Sequence, residues 1–296
     1  MPDSVLALGN SLRTLVPNPF YQQITVGTLA AATVAQVQLL RPYPQFTGVD
    51  SAAADWGTSN YHALQVKIEK RYSAGFSILA SYTYSKMMDF TTGTFNGETL
   101  GGGATQDWNN LKAEYSPSSL DQTHRLIING IYTLPFFRQK KSVIARIFGG
   151  WEMGVVASLF SGGPLGITSA TNTNFSQNGG QRPNWNGVNP QISNATPRLW
   201  FNTSVFSTPP AYTFGSAPRT FGGTRSDATQ QVDLSLHKNT SLTERLTLQF
   251  RAEAFNLTNT PVFSPPNTTY GAAGFGTVSS QANQPRIVQF GMKLIF

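Results

Sequence analysis

Apolar and polar residues alternate with a spacing of two along seven stretches of this chain: 60–72, 76–86, 124–134, 151–161, 231–238, 245–257 and 286–296. In the first, Leu64, Val66 and Ile68 share one parity, with Gln65, Lys67, Glu69 and Arg71 on the other. In the sixth, Leu246, Leu248, Phe250, Ala252 and Ala254 oppose Thr247, Gln249, Arg251 and Glu253. The last places Val288, Phe290, Met292, Leu294 and Phe296 against Gln289, Gly291 and Lys293, interrupted by Ile287 and Ile295. Side chains of a β-strand point alternately to its two faces, so a period of two predicts strands with one apolar and one polar side. Most of these stretches have the length of a tilted strand that crosses a bilayer, about 9–11 residues. Strands of soluble proteins are usually about five or six.

The connections supply a second pattern. Ser73-Ala74-Gly75 is a hairpin turn, Asn239 to Glu244 is brief, and Pro135 to Gly150 is of moderate length. Between these come long connections, Met87 to Thr123, Gly162 to Gln230 and Thr258 to Pro285. Short and long alternate strictly, as in outer-membrane barrels with short periplasmic turns and long external loops. The expected fold is therefore all-β, a segment of an antiparallel transmembrane β-barrel, with residues 60–296 as barrel and 1–59 as an external loop region before the first complete strand. Within 1–59 only Thr25 to Leu40 suggests a short helix or strand, bracketed by Pro17, Pro19, Pro42 and Pro44. The final strand ends on a bare aromatic residue, so Phe290, Met292, Leu294 and Phe296 are the candidate barrel-closing signal for the barrel-assembly machinery. Tyr82, Tyr84 and Phe255 are expected at the outer rim, Phe255 on the wrong parity for lipid. Tyr72, Phe76, Tyr132 and Phe296 are expected at the inner rim.

Composition narrows the function classes. Charged residues make up 12% of the chain, about half the usual share. The 20 Phe and 10 Tyr lie among Ser, Thr, Asn, Gln and Gly, which suits a membrane barrel or an extracellular β-protein. No apolar run is long enough for a membrane-spanning helix. With no cysteine, disulfide and thiolate chemistry are excluded. The net charge of +7 is scattered, apart from Arg138, Lys140, Lys141 and Arg146, and predicts no nucleic-acid partner. Residues 1–8 lack the basic and apolar portions of a secretory signal, so the chain is expected to be part of a longer one.

Candidate chemistry is sparse. His62, His124 and His237 form no metal-ligand spacing and accompany no GxSxG or HExxH pattern, so no catalytic residue, metal or cofactor is expected. His62 and His124 are expected at opposite ends of antiparallel strands. Gly101-Gly-Gly103 and the 271–276 stretch are expected to be flexible loop tips. Arg125, Glu152, Gln249, Arg251 and Glu253 fall on polar parities and are candidate lumen-facing groups, with a cross-strand charge ladder as the simpler reading. Trp108, Trp185, Trp200 and Tyr212, with Phe201 and Phe206, are candidate ligand contacts on external loops, with loop–loop packing as the equal alternative. Asp89, Glu98, Asp107, Glu114 and Asp121 make the first long loop acidic, and that charge is expected to be solvated.

Several runs together carry a resemblance. They are Asn60-Tyr-His-Ala-Leu-Gln-Val-Lys-Ile-Glu-Lys-Arg-Tyr-Ser-Ala-Gly-Phe-Ser77, Ala80-Ser-Tyr-Thr-Tyr-Ser-Lys86, Asp121-Gln-Thr-His-Arg-Leu126, Gly149-Gly-Trp-Glu152, Ser161-Gly-Gly-Pro-Leu165, the 248–257 run and Leu39-Leu-Arg-Pro-Tyr-Pro-Gln-Phe46. The chain resembles the C-terminal part of TonB-dependent outer-membrane transporters, and within them the Oar-like branch whose members begin with a carboxypeptidase-regulatory-like domain. That resemblance implies about seven or eight strands of a plugged barrel of about 22 strands. It also implies import of a scarce solute across the bacterial outer membrane. Its partners would be outer-membrane lipid, the plug and upstream strands of the same receptor, and a TonB-type energy-transducing protein. The alternatives are a structural or adhesive outer-membrane protein, a small porin, or a soluble carbohydrate-binding β-sandwich.

Overall fold

The computed structural model describes residues 3–48, 57–90, 93–95, 98–100, 105–107, 110–136, 147–174 and 181–296. Seven long strands build one antiparallel sheet: β1 (Ser59–Ser73), β2 (Phe76–Asp89), β3 (His124–Thr133), β4 (Trp151–Phe160), β5 (Thr229–Ser241), β6 (Thr247–Phe255) and β7 (Ile287–Ile295). Their spatial order follows their sequence order, an up-and-down meander, and the short strand Ser116–Pro117 adds to the end of β2. Ala74 and Gly75 join β1 to β2 with φ of 53° and 82°. Positive φ at both central residues is the hairpin geometry whose twist matches that of the flanking strands.

The register aligns the alternation across the whole sheet. One row runs Lys70–Ile78–Gly130–Val155–Leu234–Ala254–Val288 through all seven strands. The next runs Phe76–Tyr132–Met153–Leu236–Ala252–Phe290. The polar parity carries Thr133–Glu152–His237–Arg251–Gly291 and, beside it, Ser77–Ile131–Gly154–Ser235–Glu253–Gln289. Because the side-chain period is two, a slip of one residue in any strand would interrupt both faces. The apolar face is uncovered: Phe290 and Met292 are 73% and 75% exposed. In water this would be a liability, whereas lipid is the solvent such a face requires.

One rim expectation is corrected. The register shifts between Lys70 and Ser73, and the extra residue turns Tyr72 to the polar side, where its hydroxyl lies 2.7 Å from Thr133 Oγ1. A β-bulge inverts the parity beyond it, so Tyr72 does not face lipid. Phe76 and Tyr132 do share the apolar face, edge to face at 6.1 Å.

Three long loops leave the same end of the sheet, and their described residues fold into a layer with its own core. Leu165, Ile167, Phe201, Val205, Phe206, Ala217 and Phe221 are buried, flanked by Trp185, Trp200, Tyr270 and Phe275. Phe201, Phe206, Phe221 and Phe275 meet in T-shaped pairs 5.3–6.2 Å apart. Thr168–Ser169 of the second loop pairs in parallel with Thr269–Tyr270 of the third. The 271–276 stretch, expected to be a flexible tip, is built in. Gly276 holds a φ of +80°, a Cβ there would meet Thr203 Cγ2 at 2.6 Å, and its N–H donates to Asn267 O. The Gly101–Gly103 stretch lies outside the described residues.

Residues 3–48 form a smaller unit around Leu6, Leu12, Leu29, Val34 and Val37. The hairpin Leu15–Pro17 with Thr33–Ala35, followed by the helix Gln36–Leu39, accounts for the Thr25 to Leu40 signal.

Candidate functional site

Two regions could meet a ligand, the polar face of the sheet and the loop layer at its end. On the polar face the register brings together residues of β4 to β7. Glu152 and Arg251 flank His237, and Glu253 lies between Ser235 and Gln289, whose side chain donates to it at 2.5 Å. Gln249 donates to Asn239 at 3.1 Å and pairs with Lys293. Arg125 stands at the loop end, its guanidinium 5.1 Å from the Phe160 ring centre. All five candidate lumen-facing groups thus share one side of the sheet. An open groove of about 570 Å³ runs along this side at β1–β5, with Lys67, Glu69, Asn129, Gly154 and Ser235 among its walls. Alternating acids, bases and amides on such a wall can solvate a polar solute or hold water.

Three arginine–carboxylate pairs that sequence spacing did not reveal tie the loop layer together. Arg182 donates to both Glu114 oxygens, at 2.6 and 3.0 Å. Arg219 pairs with Asp89 and donates to the carbonyls of Asp89 at 2.7 Å and Glu114 at 3.0 Å. Arg225 reaches Asp121 and also donates to Gly162 O at 2.9 Å. Each pair ties the second loop to the first loop or to its borders. The expectation of solvated charge in the first loop is overturned for Asp89, Glu114 and Asp121, all buried. Burial forces the charges together, because desolvated carboxylates persist only when paired and hydrogen-bonded.

The candidate ligand aromatics sit in or against this layer. Trp200 donates its indole N–H to Arg225 O at 2.8 Å, and Trp185 donates to Val188 O at 2.6 Å while meeting Phe221 edge-on. Tyr212, at φ +65°, donates its hydroxyl to Asn10 Oδ1 of the N-terminal unit. Trp108 and the basic residues Arg138, Lys140, Lys141 and Arg146 lie outside the described residues. Tyr43 and Phe46, beside Arg41, are among the exposed aromatic residues that spacing did not single out. Arg41 donates to Thr47 O at 2.7 Å, and partial burial lowers its pKa.

The three histidines do not converge on one site. His237 is on the polar face near the turn end, while His62 and His124 are on the apolar face. The expectation that His62 and His124 lie at opposite ends is corrected by the meander. β1 and β3 run the same way, so both residues stand at the loop end. Among the described residues no three His, Asp or Glu side chains are grouped as metal ligands would be.

An open meander of seven long strands, apolar on one face and polar on the other, with loops gathered at one end, is the architecture of a membrane barrel wall. The chain belongs to the outer membrane beta barrel domain family, whose model matches residues 8–289. Its place is the bacterial outer membrane. Comparison with curated proteins and with solved structures returns no match.

Proposed function

We propose that this chain is the C-terminal barrel part of a TonB-dependent receptor of the Oar-like branch, which binds a scarce solute outside the cell and passes it inward. The observation that carries this reading is the open sheet. Neither the outer edge of β1 nor that of β7 is paired among the described residues. Backbone groups on an open edge have no partner in hydrocarbon, so a membrane wall must close. Closure here takes strands beyond these seven, and a wider barrel leaves a lumen for a plug. The folded loop layer supports an outward recognition surface. The polar face supports a hydrated interior, where Arg125, Glu152, Gln249, Arg251 and Glu253 would contact plug or solute.

The runner-up, a porin or adhesin, draws on the same folded loop layer. Planar-bilayer conductance separates the two. A plugged receptor is silent and is captured by the periplasmic domain of the TonB-type protein. Steady open conductance without that capture would favour a pore. Direction is tested separately. The chain has no cysteine, so a Thr208→Cys variant should be labelled in intact cells by an impermeant maleimide. Protection from the label would place the loops inside.

A further inference from the structure

We infer that the loop-side end of β1–β3 carries, on its apolar face, a headgroup site for a phosphorylated glycolipid of the outer leaflet. Every carboxylate in the seven strands, Glu69, Asp89, Glu152, Asp233 and Glu253, lies on the polar parity. The apolar parity carries cations and no acid. Two of its three lysines are already occupied. Lys70 stands 5.0 Å over the Phe76 ring, and Lys238 stands over Trp151 while donating to Ile147 O and Gly149 O.

Lys86 differs. It is exposed and makes no ion pair among the described residues, and His62 is its direct cross-strand neighbour. One row further into the sheet, Tyr84 opposes His124. The Tyr84 ring lies 5.3 Å from the imidazole, and the Tyr82 hydroxyl lies 2.9 Å from His124 Nδ1. Directly opposed residues on one face are about 5 Å apart at Cβ, so these groups form one patch. Tyrosines at a strand end mark headgroup depth in a barrel. A lysine there, with no carboxylate on its face, finds its counter-charge in the lipid. An ammonium beside an imidazole matches a phosphate through charge-assisted hydrogen bonds. The half-exposed Tyr84 ring offers a flat face for a sugar, which favours a glycolipid over a phospholipid.

The inference rests on the loops-outward reading above. The two fail separately, because lipid retention is read in vitro and direction is read by cell labelling. The protein in phosphatidylcholine nanodiscs should retain bis-phosphorylated lipid A in native mass spectrometry. Dephosphorylated lipid A and phosphatidylglycerol should bind about tenfold more weakly, the loss expected when a charged hydrogen bond is removed. A His62→Gln/Lys86→Gln variant should lose a similar factor, while Lys70→Gln at the opposite end should keep full retention. Retention by the double variant equal to wild type would overturn the site, as would equal binding of phosphatidylglycerol or dephosphorylated lipid A. Should the double variant fail to show the heat-modifiable mobility of a folded barrel, the single exposed change Lys86→Gln decides on the same readout.

Discussion

Phe290 and Phe201 are the same residue type in opposite situations, one 73% exposed on the sheet and the other fully buried in the loop layer. The sheet is held by its hydrogen-bonded ladder and leaves its apolar side for a solvent it does not itself supply. The loop layer is built like a small soluble domain, with aromatic rings packed in T-shaped pairs and charges desolvated in pairs. The first obtains its hydrophobic stabilisation from lipid contact. The second obtains it by removing its own apolar surface from water. Variants that disturb one region should therefore leave the other standing.

The largest effect is expected inside the loop layer. Arg219→Ala leaves the Asp89 carboxylate buried without its counter-charge, which costs about 3–5 kcal/mol. Limited proteolysis should open the loops of this variant while the sheet keeps its heat-modifiable mobility. The paired replacement Arg219→Met with Asp89→Leu removes both charges and should recover much of the loss. If Arg219→Ala unfolds sheet and loops together, the two regions are one cooperative unit and the comparison breaks.

This contrast also explains what could be read from the sequence. The strands declare themselves locally, because a two-residue period is visible within ten positions and the Ala74–Gly75 turn marks the first hairpin. The arginine pairs bridge separations of 68, 130 and 104 residues. No spacing rule links Arg219 to Asp89, so acidic residues in a loop were indistinguishable from solvated ones. Tyr72 escapes a parity reading for a different reason, since a single bulged residue inverts parity without altering the composition that suggests a strand. The polar parity of Arg125, Glu152, Gln249, Arg251 and Glu253 was legible, whereas their neighbours across the sheet required the register.

A smaller but sharper test asks which face meets lipid. Leu234 lies in the row that crosses all seven strands, and Leu234→Arg should cost about 2–4 kcal/mol in urea-driven folding into vesicles. Val156 is equally aliphatic, on the neighbouring strand but facing the other way. Val156→Arg should fold within about 1 kcal/mol of wild type, since lumen positions tolerate charge. Equal penalties at both positions would mean that both faces are dry, and the groove along β1–β5 would then hold no water.

The smallest effect returns to charge. Lys67 and Glu69 form an ion pair at 2.9 Å on the polar face, with side chains 62% and 46% exposed. By distance alone this pair resembles Arg182–Glu114, yet solvent and ions screen it. Lys67→Met should change stability by less than about 1 kcal/mol, and the difference should shrink as salt rises to 1 M. Arg182→Met should keep most of its penalty under the same salt, because a buried pair is screened much less. Equal salt responses would show that water reaches the arginines of the loop layer, and the layer would then have no claim to a core of its own.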